Sequence, residues 1–128
     1  MLKKITEQEL KNILKENNSI DLCYCDLAGL DLSWSRLCYA NLEGANLEGA
    51  QLEGADLYNA NLKGTNLELA NLEGAGFYEA DLQQANLDYA ILSGANFAKA
   101  NLKDASFKGV AFLRETDFSN TELENLTV

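Results

Sequence analysis

From Leu22 to Phe112, every fifth residue is Leu or Phe. The residue two places before it is small, usually Ala, and the one between is usually Asn or Asp. Consecutive blocks read Ala40-Asn41-Leu42-Glu43-Gly44, Ala45-Asn46-Leu47-Glu48-Gly49 and Ala50-Gln51-Leu52-Glu53-Gly54. A fixed repeat over most of a chain decides its fold before any single residue does. A helix does not accommodate this period. Five residues at about 100° each advance about 140°, which scatters the leucines around the cylinder. A long strand has period two. The pattern suits a short extended piece followed by a corner, repeated. Ala40 and Leu42 then share the inner face while Asn41 points out.

Glycine placement agrees. Gly29, Gly44, Gly49, Gly54, Gly64, Gly74, Gly94 and Gly109 all close a block, and Gly76 is the exception. A corner there can take the positive φ that glycine adopts freely. Proline is absent from all 128 residues. A chain whose N–H groups bond to the turns above and below has no donor to spare.

These blocks resemble the A(D/N)LXX motif of the pentapeptide repeat family, from about Ile20 to the C-terminus. The resemblance implies an all-β solenoid: a right-handed quadrilateral β-helix, four blocks per coil, of about five coils. At about 4.8 Å per stacked strand, that is a rod about 24 Å long.

Residues 1–18 differ, and the chain divides into an N-terminal amphipathic helix at 1–18 and the β-helix at 19–128. Thr6 with Glu9 forms a capping box, and Leu10, Ile13 and Leu14 fall on one face. The pattern predicts a short α-helix over Glu7–Glu16, ended by Asn17-Asn18-Ser19. It caps the open end of the first coil, covering strand edges and core side chains; the alternative is a mobile amphipathic arm or partner helix. The larger Ile20 and Leu30 fill volume where that coil meets the helix. Near the C-terminus the period slips: Phe112 is followed by Phe118, six residues on. This predicts a bulged corner in Leu113–Glu115. No second capping helix is evident, so the last coil is expected to present an open end, to solvent or to another copy.

Net charge is −10, and the repeats carry most of the acidic residues. This surface disfavours direct binding of nucleic acid and anionic membrane, and suits a basic protein partner or simple solubility. No apolar leader follows Met1-Leu2-Lys3-Lys4, and a cytoplasmic protein is expected, a monomer in preference to a dimer. Cys25 takes an inner slot. Cys23 and Cys38 take outer slots on different faces, so a disulfide between them is not the expectation. The chain has no His, and no catalytic, cofactor or metal site is evident.

Residues twenty apart fall into columns. Glu48, Glu68 and Asp88 form one acidic stripe, with Lys108 following, and Glu53 and Glu73 form another. Some pentapeptide repeat proteins resemble DNA through such surfaces and bind DNA gyrase, which makes a DNA-mimicking rod the alternative function. The plainer account is a solvated face. Tyr58 and Tyr78 share a third column, with Arg36 and Tyr39 beside them, either as a structural ladder or as a partner-binding patch. Trp34, Leu69, Ile91 and Leu113 read as scattered outward apolar residues. The Asn column (Asn41, Asn61, Asn101) is assigned to hydrogen bonds with corner backbone. The function read from the sequence is a non-catalytic structural or interaction scaffold.

Overall fold

The computed structural model describes residues 1–16, 19–110 and 114–128. The predicted helix end at Asn17-Asn18, Phe112, and part of the predicted bulge lie outside the described residues.

The repeat unit is settled by where its N–H groups go. In the block Ala40–Gly44, Ala40 donates to Leu37 O at 3.0 Å, and Asn41 to Ile20 O at 2.9 Å. Leu42 donates to Asn61 O at 2.7 Å and Gly44 to Lys63 O at 2.9 Å. The fifth donor, Glu43 N, is taken by the Asn41 side-chain oxygen at 3.2 Å. All five donors are used: one within the chain's own turn, three between coils and one on a side chain. This is the physical ground for the missing proline at consensus positions.

Parallel bridges join residue n to n+20, from Asp21↔Asn41 through Asn86↔Ser106. Four blocks therefore make one coil. The predicted slip is visible as a change of register, since the later bridges are Asn96↔Asp117, Asn101↔Glu122 and Ser106↔Thr127. Inside, Leu42, Leu47, Leu52, Leu57, Leu62 and Leu67 are fully buried, with the alanines between them. Phe77 and Phe97 stack at 4.7 Å and 2°, as their spacing predicts, and Phe97 stacks on Phe118 at 5.3 Å. Thr65 is buried in an alanine slot and satisfies its hydroxyl on Leu42 O at 2.8 Å.

The corner is a turn closed by the hydrogen bond from each block to Leu of the block before, with positive φ at its third residue alone. That is the signature of a type II turn. Glycine supplies it at Gly49 (φ 64°), but Tyr24, Trp34, Tyr39, Leu69 and Tyr89 sit there too, at φ 54° to 60°. A bulky residue in this region is strained. Three of the five lie against a glycine one coil on. A Cβ on Gly44 would overlap the Tyr24 ring, one on Gly54 the Trp34 ring, and one on Gly109 the Tyr89 ring. Glycine is thus favoured at these corners twice, for φ and for space. At Gly49, by contrast, no atom lies within 4 Å of the place a Cβ would take. Gly49→Ala is therefore expected to cost about 1 kcal/mol, the conformational term alone. Gly54→Ala costs more, because it also lifts Trp34 off the backbone. Paired denaturant titrations check the order; equal losses would remove the ring from the account.

The N-terminal segment holds α1, Glu7–Lys15, one residue shorter than the predicted Glu7–Glu16, since Glu16 is the C-cap. The Thr6–Glu9 capping box is formed, with Thr6 N donating to Glu9 at 2.8 Å and Glu9 N to the Thr6 hydroxyl at 3.1 Å. Leu10 is buried, and Ile13 and Leu14 pack on the core, as does Leu30. Residues 1–18 are more than a helix. A strand, β1 (Lys3–Lys4), precedes it and pairs in parallel with β2 (Cys25–Asp26) of the first coil. Ile5 N continues that ladder to Asp26 O at 3.0 Å. The pairing follows from the exposed edge of the first coil, which offers unpaired backbone groups to any extended segment nearby.

Candidate interaction surfaces

On the tyrosine face, the rings of Tyr58 and Tyr78 stack at 5.8 Å and 15°, and Tyr39 meets Tyr58 edge-on at 5.4 Å. Tyr58 and Tyr78 are half-buried, whereas Tyr39, a corner residue, is exposed. The Tyr58 hydroxyl donates to Glu79 at 3.5 Å. Lys99 Nζ lies 5.4 Å from the Tyr78 ring centroid, within cation–π range. Tyr39 beside Tyr58 pushes that phenol above its ordinary pKa, with Glu79 adding to the effect. Tyr78 raises Lys99, so the cation is retained. The sequence reading missed Lys99 although its signal was present: it stands in one column with Tyr39, Asn59 and Glu79. Arg36 is exposed and lines a pocket of about 450 Å³ beside the N-terminal helix with Leu14, Glu16, Ile20, Ser33, Ser35 and Cys38, the last in the column of Tyr58 and Tyr78.

The acidic residues form the expected columns, but their carboxylates are not equivalent. Glu48, Glu53 and Glu73 are exposed. Glu68 is half-buried and accepts from Asn86 at 3.4 Å. Asp88 accepts from Lys108 N at 2.9 Å and from the Ser106 hydroxyl. Ser106 occupies the Asn slot of its block and its own side chain does not serve Lys108 N, so Asp88 reaches across from the previous coil. Asp88 is part of the corner, not a free member of the stripe. Among the described residues the one ion pair is Lys103–Glu124 at 3.7 Å, so none of the four glutamates is in one, although Arg114 lines a groove with Glu73.

The three cysteines are free, Cys25 buried and Cys23 and Cys38 half-buried. All three thiols are pushed up. Asp21 does this at Cys23, burial does it at Cys25, and burial followed by Asp56 does it at Cys38. Raised thiols are poor nucleophiles. No cluster of metal-binding residues occurs among the described residues, and no helix among them is long and apolar enough to cross a membrane. At the C-terminal end, Phe107, Gly109, Val110, Phe118, Leu123, Leu126 and Val128 line an apolar pocket of about 460 Å³.

Corners every five residues, parallel pairing every twenty and side chains displayed outward define a tandem-repeat β-solenoid with a display surface. The repeats match the family described as pentapeptide repeats, in eight copies, over residues 18–54, 39–74, 50–87 and 75–112. This chain belongs to the pentapeptide repeat family, whose members fold as right-handed quadrilateral β-helices and are generally non-catalytic scaffolds. Among solved structures it is similar to Rfr23, a pentapeptide repeat protein from the cyanobacterium Cyanothece 51142. Identity is 32% over 84% of this chain and 90% of that one, with a TM-score of 0.74. It is similar also to the pentapeptide repeat protein alr5209 from Nostoc PCC 7120, with 27% identity over 99% and 98% of the chains and a TM-score of 0.61. The plasmid-mediated fluoroquinolone resistance protein QnrB1 matches at 18% identity over 80% of this chain and 64% of that one. Its TM-score is 0.45, too remote to carry a functional argument. No functionally curated protein matches.

Proposed function

We propose that the protein is a non-catalytic interaction scaffold, a single-copy cytoplasmic rod that presents side chains to a protein partner and does not bind nucleic acid or membrane. The observation that carries this reading is the division of labour in each block. Backbone donors and the Asn side chains are spent holding coil to coil, and among the described residues no buried side-chain N or O lacks a partner. The side chains left over point outward from a rigid frame. Free thiols fit a reducing compartment.

The Tyr39–Tyr58–Tyr78 face, with Lys99 and Glu79, is one such display. Its rings offer aromatic area at low entropic cost to a partner. The test compares wild type with the Tyr58→Ala/Tyr78→Ala double variant in thermal unfolding, light scattering and differential capture from the native cytosol. A folded, monomeric variant that loses specific captured proteins is the expected result. Unfolding of the variant would make the tyrosines a structural ladder, and unchanged capture would remove the face from binding.

The second reading, a DNA-mimicking rod that occupies the groove of DNA gyrase or another DNA-binding protein, is favoured by four glutamates on neighbouring faces that are in no ion pair among the described residues. It is weakened by the commitment of Asp88 to its corner. Unchanged gyrase supercoiling at micromolar protein would end it for that enzyme.

A further inference from the structure

Leu69, Tyr89 and Ile91, separate in sequence, share one corner of the rod. Leu69 and Tyr89 are corner residues of successive coils, tied together where Leu69 N donates to Asp88 O at 3.0 Å. Ile91 N donates to Ala70 O at 3.0 Å, and Ile91 pairs with Asn71. All three are exposed, at 56%, 55% and 39%. Above Leu69 in the same column, Gly29 and Gly49 have open space where side chains would be. Below, the Tyr89 ring lies against Gly109. The corner is thus a bare glycine shelf followed by an apolar ridge.

Its flanks are acidic on both sides. Glu48 and Glu68 precede the corner, Glu53 and Glu73 follow it, and none of the four is in an ion pair among the described residues. An apolar ridge between two rows of carboxylates repels a second copy of this chain, which would bring the same rows against them. It repels anionic lipid for the same reason. What it complements is an apolar anchor with cations on both sides. Two exposed cations set a direction: Lys108 at the foot of the Glu48–Glu68 row, and Arg114, which lines a groove with Glu73 and Ser93 at the foot of the other; both disfavour cations at the Tyr89 end and leave them the Glu48–Glu53 end.

We infer that the Leu69–Tyr89–Ile91 corner is a docking surface for a basic amphipathic segment of a partner protein. The segment's apolar residues lie on the ridge and shelf, and its Lys or Arg side chains lie over Glu48, Glu53, Glu68 and Glu73. This rests on the scaffold reading and gives it a second surface, on a different column from the tyrosines.

The probe is a short synthetic peptide with a Leu-Trp-Leu centre and lysines on both sides. Its controls are the same centre flanked by glutamates, and oligolysine of equal charge. Binding is followed by amide chemical shifts of the 15N-labelled protein and by titration. The lysine-flanked peptide should saturate, moving the signals of Leu69, Tyr89, Ile91 and Gly49. Added salt should weaken it without abolishing it, because the apolar anchor is unscreened. Leu69→Asn should weaken it about tenfold. Asn suits the positive φ at this corner better than Leu, so the fold is kept, as an unchanged spectrum elsewhere would confirm. Glu68→Gln with Glu73→Gln should weaken it and flatten its salt dependence. Equal binding of oligolysine, with no effect of Leu69→Asn, overturns the inference and leaves only diffuse electrostatics. Shifts confined to Tyr39, Tyr58 and Tyr78 overturn it too, but leave the scaffold reading standing. Absence of binding by every peptide removes this corner. The scaffold reading falls with it only if capture is also indifferent to Tyr58 and Tyr78.

Discussion

Phe97→Ala is expected to lower the unfolding free energy by about 3–5 kcal/mol, the range for a fully buried aromatic truncated in a core. Phe97 is the centre of a run of rings. Phe77 lies at 4.7 Å on one side and Phe118 at 5.3 Å on the other, with Phe107 edge-on at 6.3 Å. Removing it leaves a void one coil thick. Most cores relax partly around such a void, and the spread of measured costs reflects how well they do so. Here collapse is opposed by the backbone. Phe97 N is held by Asp117 O at 2.7 Å, and Asn96 N and Asn101 N are held by the coil above at 2.9 Å. The cost should therefore fall near the top of the range. Phe97→Leu restores the residue that Leu37 and Leu57 provide in the same column, and should cost far less. Guanidinium unfolding of the two variants tests this. A loss under about 1 kcal/mol for Phe97→Ala would mean that the rods of rings are not what holds the C-terminal coils together.

Asn66→Ala is expected to cost about 2–3 kcal/mol, from three hydrogen bonds at about 1 kcal/mol each. The Asn66 amide donates to Asn46 at 3.1 Å, and its oxygen accepts from Glu68 N at 3.1 Å and Asn86 at 3.3 Å. The middle bond satisfies a corner N–H that no other group reaches, so its loss leaves a half-buried donor unpaired. Asn66→Asp keeps both accepted bonds but sets a carboxylate oxygen against Asn46 Oδ1, which also accepts from Glu48 N, so at neutral pH it should fall between wild type and Asn66→Ala. Its difference from wild type should widen on acidification. The natural precedents are Asp31 and Asp117, whose carboxyls are held below the ordinary value first by the Ser33 and Ser119 backbone N–H groups. A carboxyl depressed in the folded state contributes stability that is full above its unfolded pKa and is lost as pH falls through the folded one. A pH-independent Asn66→Asp variant, or an Asn66→Ala variant as stable as wild type, would show the side-chain ladder to be incidental.

How far the sequence reading reached is clearest at particular positions. The inner column of Leu42, Leu47 and Leu52, the burial of Cys25, the Phe77–Phe97 stack, the Thr6–Glu9 box and the register slip near Leu113 were all legible. Each is written in local spacing or in a break of it. The bond from Asp88 to the next coil and the shared column of Leu69 and Tyr89 were not legible. Asp88 looked free until Ser106, eighteen residues on, was seen to leave a backbone donor for it. Leu69 and Ile91 read as isolated because Tyr89 was not joined to them.

By itself the sequence determined the corner every five residues, the inward pair, and the glycine that a positive φ favours. Those are short-range sterics and burial, which act within one block. Only the tertiary structure decided that Tyr24, Trp34 and Tyr89 take the same strained corner and lie against Gly44, Gly54 and Gly109. It alone joined β1 to the first coil and placed Lys99 on Tyr78. Such neighbours are set by the pitch of the coil, through hydrogen bonds between residues about twenty apart, and no local pattern carries that distance.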